Sequence, residues 1–215
     1  MTFRTFGGNG DPTREIPATL PWVHAASQPY TDWLIGDTSA AASILERWMR
    51  LPGSEVFIGR VVALVDDARQ VGGFIAVPGV ELAACRTHDA VAAVAASAPQ
   101  RRSSLVARMR RGSKLLPDAA PHQLYLSRMG VHPEARGRGY GRALVQEFLR
   151  RGLRDGVCHF SLDVCSENLA AIELYRSVGF RERQRHDARD IGMTYVRMVL
   201  EAPRAVHEKG PDGAR

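Results

Sequence analysis

The chain has 215 residues, enough to bury one sizeable core and too few to suggest several domains. Hydrophobic residues make up 45% of it, and nothing in the composition fits collagen, a mucin or a coiled coil. The net charge of +6 favours anionic partners without choosing among nucleotides, nucleic acids and acidic membranes.

The first stretch, Met1 to Thr19, carries Gly7, Gly8, Gly10, Pro12 and Pro17 and reads as a loosely held arm. It has no apolar run of the kind a secretory signal needs. Ala41, Ile44, Leu45, Trp48 and Met49 then recur at helical spacing, and Pro52-Gly53 stops that helix. Val56 to Val65 is apolar and β-branched and predicts a strand. Asp66-Asp67 predicts a turn, and Val71 to Val77 a second strand, so the pair reads as a hairpin. From Gly79 to Pro121 the chain is rich in Ala and Arg. Leu82, Cys85, Asp89 and Ala93 fall on one helix face, and a second helix is expected over Arg101 to Lys114. That second stretch has six basic residues and no acid. It reads either as a solvated helix with Leu105 and Met109 turned inward, or as an electrostatic funnel for an anion.

The remainder alternates. Gln123 to Val131 predicts a strand. Arg138 to Asp155 predicts a helix with Leu144, Val145, Phe148, Leu149 and Leu153 in one stripe, ended by Gly156. His159 to Cys165 predicts a strand, Asn168 to Val178 a helix closed by Gly179, and Phe180 to Arg185 and Thr194 to Leu200 two more strands. The order β-α-β-α-β-β describes an α/β sheet with helices packed on it. Glu201 to Arg215 is polar and reads as a frayed tail. No run of about 18 apolar residues predicts a membrane span. Cys85, Cys158 and Cys165 are odd in number and lack Cys-x-x-Cys spacing, which argues against a disulfide framework or structural zinc. It argues for a reducing, cytoplasmic setting.

The chemistry concentrates in Met129-Gly130-Val131-His-Pro-Glu-Ala-Arg136-Gly137-Arg138-Gly139-Tyr140-Gly141-Arg142. A strand ends, a loop turns, and a helix begins among glycines. Bare N–H groups at a helix start, helped by the helix dipole and by Arg136, Arg138 and Arg142, suit a pyrophosphate. The Lys-Ser/Thr ending of an ATPase loop is absent, and so is Gly-x-Gly-x-x-Gly, which argues against Mg-ATP and against a dinucleotide fold. No metal is expected.

Arg136-Gly-Arg-Gly139-Tyr-Gly141 resembles the Arg/Gln-x-x-Gly-x-Gly/Ala pattern of the GNAT superfamily of acyl-CoA-dependent N-acetyltransferases. Downstream, Leu162-Asp-Val-Cys-Ser-Glu-Asn168-Leu-Ala-Ala-Ile-Glu-Leu-Tyr175-Arg-Ser-Val-Gly179-Phe180 resembles the same family in register. The resemblance is strong over Leu124 to Phe180, looser over the hairpin, and poor before Trp22. It implies a mixed, mostly antiparallel twisted sheet with splayed central strands, flanked by helices, with residues 79–121 as a helical insertion. It further implies one domain over the whole chain and acetyl-CoA as acyl donor.

By the same resemblance, Met129, Gly130 and Val131 would lie along the pantetheine arm, and Arg136 to Arg142 would cradle the pyrophosphate. Asn168 would bond the cofactor or hold its loop, and Tyr175 would protonate the leaving thiolate. A backbone N–H near Val131 would serve the oxyanion. No carboxylate lies on the strand from His122 to Met129, so the general base is open among Ser127, His122, His132, Asp163, Glu81, Asp89 and a water relay. Cys165 reads as a buried small hydrophobe rather than an acyl carrier. Tyr30-x-Asp32-Trp33 suits either an amine pocket or ordinary packing with a helix cap. The expected acceptor is a small-molecule amine, with a protein lysine or N-terminus, or a non-catalytic acyl-CoA sensor, as alternatives. Nucleic-acid binding by residues 101–114 lacks interleaved aromatics. A homodimer is compatible with the family and not specified by these residues.

Overall fold

The computed structural model describes residues 1–6 and 11–203. Seven strands form one sheet in the order β1-β2-β3-β4-β5-β7-β6. They are β1 Thr2–Thr5, β2 Val61–Asp66, β3 Arg69–Pro78, β4 Leu124–Val131, β5 His159–Cys165, β6 Arg181–Ala188 and β7 Met193–Glu201. Seven α-helices flank them: α1 Pro12–Ser27, α2 Tyr30–Ile35, α3 Thr38–Met49, α4 Gly79–Ala96, α5 Pro99–Leu115, α6 Tyr140–Arg154 and α7 Leu169–Ser177.

All strand pairs are antiparallel except β4 with β5. That parallel junction divides the sheet. It is held by only three residue pairs, Leu124 with Phe160, Tyr125 with Ser161 and Leu126 with Leu162. Beyond Leu126 the two strands part, while β4 stays on β3 as far as Val131. A register shift at Ser127, between Ile75 and Ala76 of β3, sits at the point of divergence. Such bulges bend a strand and increase its local twist.

Two cores lie on the sheet. One gathers Ile16, Trp22, Val23, Leu45, Met49, Ile75, Leu82 and Leu105 under α1 to α5. The other gathers Phe74, Leu144, Phe148, Phe160, Ile172, Tyr175 and Phe180 under α6 and α7. In β2 the pattern Val61, Ala63 against Val62, Leu64 sends alternate residues to the two cores, as the pleat demands.

The expected hairpin, the helices at 79–96 and 101–114, and the β-α-β-α-β-β half are all present. Three readings are corrected. The arm expected over 1–19 is not loose: Thr2–Thr5 pairs with β2, and α1 starts at Pro12 behind an Asp11 cap. Pro17 and Pro21 lie inside α1, where each removes a backbone donor. The helix persists because Ile16, Thr19, Trp22 and Val23 bury a continuous stripe. Residues 7–10 of the arm lie outside the described residues.

Second, the strand expected from Val56 begins only at Val61. Val56 and Ile58 are buried in a loop and a 3-10 turn at Ile58–Arg60, before a partner strand is reached. Third, the helix expected from Arg138 starts at Tyr140, because Gly137 and Gly139 take positive φ. Of the tail expected from Glu201, the first residue closes β7, and residues 204–215 lie outside the described residues.

Candidate active site

The site is built where β4 leaves β5. On one flank of that opening lies the Gly-rich turn. Gly137 has φ +77° and Gly139 φ +81°, and a side chain at either would meet nothing within 4 Å. Glycine is required there by conformation, not by crowding, so the face is open to a bulky group. Gly139 is the N-cap of α6, and no side chain caps that helix, which leaves its first N–H groups to an external acceptor. Arg138 is exposed beside it, Arg136 donates to the Val131 carbonyl at 3.3 Å, and Arg142 donates to the Ser177 hydroxyl at 2.9 Å. The Tyr140 hydroxyl donates to Asp66 and ties the turn to the end of β2. These features fit a pyrophosphate.

The other expected cofactor residues lie around the same opening. Met129 and Val131 pack against the core under α6 and α7, which also holds Tyr175. Gly130 is close to α1: a Cβ there would come within 3.0 Å of the Trp22 carbonyl oxygen. Asn168 caps α7, its side-chain oxygen accepting from Ala171 N–H at 3.2 Å. Tyr175 is 7% exposed, with its ring edge-on to Phe180. Burial pushes its phenol well above the ordinary value, so it is a protonated donor at working pH.

Across the sheet, a chain of buried charges crosses the junction. Glu55, in the loop before β2, accepts from the Ser127 hydroxyl and from Arg128 at 3.4 Å through Oε1, and from Arg86 of α4 at 3.2 Å through Oε2. Burial pushes this carboxyl up, but Arg86, Arg128 and Ser127 outweigh it and hold the pKa below the ordinary carboxylate range. Arg86 also reaches Asp118 and the Leu116 carbonyl, and Arg128 the Ser27 hydroxyl. On the β5 side, Arg197 of β7 grips Asp163 with two bonds of 2.7 Å, and Asp163 accepts from the Tyr125 hydroxyl at 3.0 Å.

A cavity of about 380 Å³ lies beside this network. Its walls come from α2 (Tyr30, Leu34), α4 (Arg86, Asp89), α5 (Met109) and β4 (Arg128). Its volume lies in the range of small-ligand sites. Asp89 is 6% exposed. Its Oδ2 accepts the Glu55 N–H at 3.0 Å, whereas Oδ1 is buried without a hydrogen-bond partner among the described residues. Burial pushes the Asp89 carboxyl up to about 7, with nearby Glu55 adding to the effect.

Residues 42–180 match the Acetyltransferase (GNAT) family, well over half of the chain. The chain belongs to this family. GNAT enzymes use acetyl-CoA. The GNAT fold is independently evident in the likeness to an N-acetyltransferase from Staphylococcus aureus Mu50, with a TM-score of 0.71 at 16% identity. That likeness covers 93% of this chain and 100% of the other. Among curated proteins, mycothiol acetyltransferase of Kocuria rhizophila is 42% identical over 52 residues, 24% of this chain and 17% of its own. N-alpha-acetyltransferase RimI of Mycobacterium tuberculosis is 44% identical over 61 residues, 28% of this chain and 37% of its own. The chain thus spans well under half the length of either relative.

Within this GNAT fold, several base candidates are committed elsewhere. Ser127 serves Glu55, and Asp163 serves Arg197 and Tyr125. His132 bonds the Ala18 carbonyl, His122 stacks edge-on against His159, and Glu81 pairs with Arg60. The Tyr30-x-Asp32-Trp33 cluster divides. Tyr30 lines the cavity, while Asp32 accepts from His24, Gln28 and Thr38 and locks α1, α2 and α3 together. Glu55, Arg86 and Arg128 escaped sequence reasoning. The available signal was a charge inside an apolar run: Glu55 before Val56-Phe57-Ile58, and Arg128 within β4. Among the described residues no His, Cys, Asp or Glu cluster suits a metal, and no helix is long and apolar enough to cross a membrane.

Proposed function

We propose that this GNAT chain transfers the acetyl group of acetyl-CoA to a primary amine of a small molecule by direct attack. The observation that carries the reading is the walled cavity bordering the point where β4 leaves β5, on the side opposite the core that holds Tyr175. Bound acetyl-CoA would supply an activated thioester. The chain's residues would do the rest. The uncapped start of α6, with Arg136, Gly137, Arg138, Gly139, Tyr140, Gly141 and Arg142, would hold the pyrophosphate. Met129, Gly130 and Val131 would offer the backbone that β5 leaves unpaired, including an N–H for the developing oxyanion. Asn168 fixes the start of α7 and so the height of Tyr175, which would donate a proton to the leaving sulfur.

The partial likeness to RimI supports a second reading, acetylation of a protein N-terminus. A peptide needs a long open groove, whereas residues of α2, α4 and α5 line this cavity together, which favours a compact acceptor. Three free cysteines support a cytoplasmic setting.

The test is isothermal titration with acetyl-CoA alongside a thiol-release screen of amines and peptides. Binding together with release by one class of small amine is the expected result. Release only with peptides would transfer the assignment to the second reading, and absence of acetyl-CoA binding would remove both.

A further inference from the structure

Glu55 stands nearest the diverging strands, yet both its oxygens are occupied, by Ser127 and Arg128 on one and Arg86 on the other. Asp89 is different. It projects from α4 into the wall of the same cavity, in contact with Glu55 through the Glu55 N–H. Its own backbone carbonyl accepts from Trp48 Nε1 at 3.0 Å, which fixes this part of α4 against α3. So its position is set from two sides, with the Ser54 hydroxyl beside the carboxyl, and Oδ1 has no hydrogen-bond partner among the described residues. A buried carboxylate oxygen without a donor is costly and calls for an explanation, and a ligand or reaction that uses it is one.

We infer that Asp89 Oδ1 receives the acceptor's amine in the cavity between α2, α4, α5 and β4 and takes its proton before attack. The inference rests on the acetyltransferase reading above and specifies its acceptor side: a compact primary amine on a partly apolar body. Leu34, Val56 and Met109 supply the apolar walls. The groups facing Asp89 are Glu55 in the loop before β2, Arg128 of β4, the Ser54 hydroxyl, and Cys85 on its own helix. Arg86 and Arg128 are already balanced by Glu55 and Asp118, so among the described residues Asp89 is the acid in the cavity wall without a cation. Arg110 also lines the cavity and makes no ion pair with Asp89 among the described residues, which leaves that carboxylate open to an ammonium.

The proton count closes. An alkylammonium gives one proton to Asp89 Oδ1, and from there it passes to solvent. The freed amine lone pair forms the N–C bond to the acetyl carbon while the C–S bond breaks, its electron pair staying on sulfur. The second proton lost by nitrogen balances the one that sulfur takes up, for which Tyr175 is the donor proposed above. A carboxyl poised near neutrality suits this task, since it is ionised enough to accept and basic enough to hold the proton.

The experiment uses the full chain labelled with ¹³C at the aspartate carboxyls, with n-butylamine as probe. One aspartate resonance should titrate near neutrality, vanish in Asp89→Asn, and move to lower pH when the amine is added. In parallel, Asp89→Asn should keep acetyl-CoA affinity within twofold and lower amine-dependent kcat/KM about 100-fold. Its loss of the acid limb of the pH profile would separate proton transfer from packing. An aspartate that titrates near neutrality but ignores the amine overturns the inference, as does a variant with unchanged kcat/KM. Should Asp89→Asn fail to fold, the wild-type titration with the amine still decides. Failure of acetyl-CoA binding in the wild type would instead remove the acetyltransferase reading and leave the amine titration to stand alone.

Discussion

At the scale of single residues, two buried acids, linked by the bond from the Glu55 backbone N–H to the Asp89 carboxylate, respond to burial in opposite ways. Glu55 and Asp89 are similarly hidden, at 6% exposure each. Glu55 stays ionised because two guanidiniums and a hydroxyl outweigh desolvation, and Asp89 drifts toward neutrality because nothing of that strength faces it. Glu55 is therefore part of the scaffold. Glu55→Gln should cost about 3–5 kcal/mol in urea unfolding at pH 7, since it strands Arg128 without a counter-charge and leaves Arg86 with the more exposed Asp118 alone. A loss below 1 kcal/mol would mean that water replaces the carboxylate and that the network is loose. The sign for Asp89 is reversed. Its folded pKa of about 7 lies above the value of 3.8 it starts from, so the folded state holds the extra proton between those values. Its contribution is favourable at low pH and is lost as pH rises through 7, by at most about 4 kcal/mol. Asp89→Asn should thus gain stability over wild type at pH 8 and gain none below pH 4. Parallel urea curves across that range would contradict the raised pKa.

At the scale of elements, α6 offers an internal comparison. Gly139 at its start and Gly156 just past its end both have φ near +80°, and a methyl added at either would find no atom within 4 Å. A side chain at either should cost a similar 1–2 kcal/mol of backbone strain. Only Gly139 lies in the proposed anion cradle. Gly139→Ala should therefore weaken acetyl-CoA binding at least tenfold by calorimetry, while Gly156→Ala should leave it unchanged. Equal effects would show that strain transmitted through the helix, not contact at its N-terminus, governs affinity. The same helix shows what sequence made legible. Its stripe of Leu144, Val145 and Phe148 is periodic and local, and the glycines flanking it announce their own turns. The second half of the fold was readable for that reason. Helix α1 was not, because Pro17 and Pro21 carry a strong local signal for loop, and only packing of Trp22 against β3 and β4 overrules it. The acid network was hidden for a related reason. Glu55 meets Ser127 across 72 positions and Arg86 across 31, and no pattern of short spacing links them. Asp89 was visible as an acid on the apolar face of a predicted helix and as one of several open candidates for the base, with nothing in its spacing to single it out.

At the scale of the whole molecule, the sheet is two blocks joined by a short seam. Strands β1 to β4 form one block and β5 to β7 the other, with three residue pairs between them. Polar links reinforce the seam: Tyr125 of β4 reaches Asp163 of β5, and Arg197 of β7 reaches the Pro117 and Asp118 carbonyls in the connection before β4. None of them spans the open part of the junction beyond Leu126, where the backbone of β4 has β3 on one side only. A ligand that lies along that backbone would act as an added strand and join the blocks over their full length. Linkage then requires that it stabilise the fold, by about 2.7 kcal/mol at a concentration 100 times its Kd. The gain should be localised as well. Amide exchange should slow at residues 127–131 of β4 and at the first turn of α6, and change little in β1 or β6 at the outer edges. Protection spread evenly over all seven strands would mean that acetyl-CoA stabilises the molecule without entering the seam, and the added-strand geometry would have to be abandoned even if binding were tight.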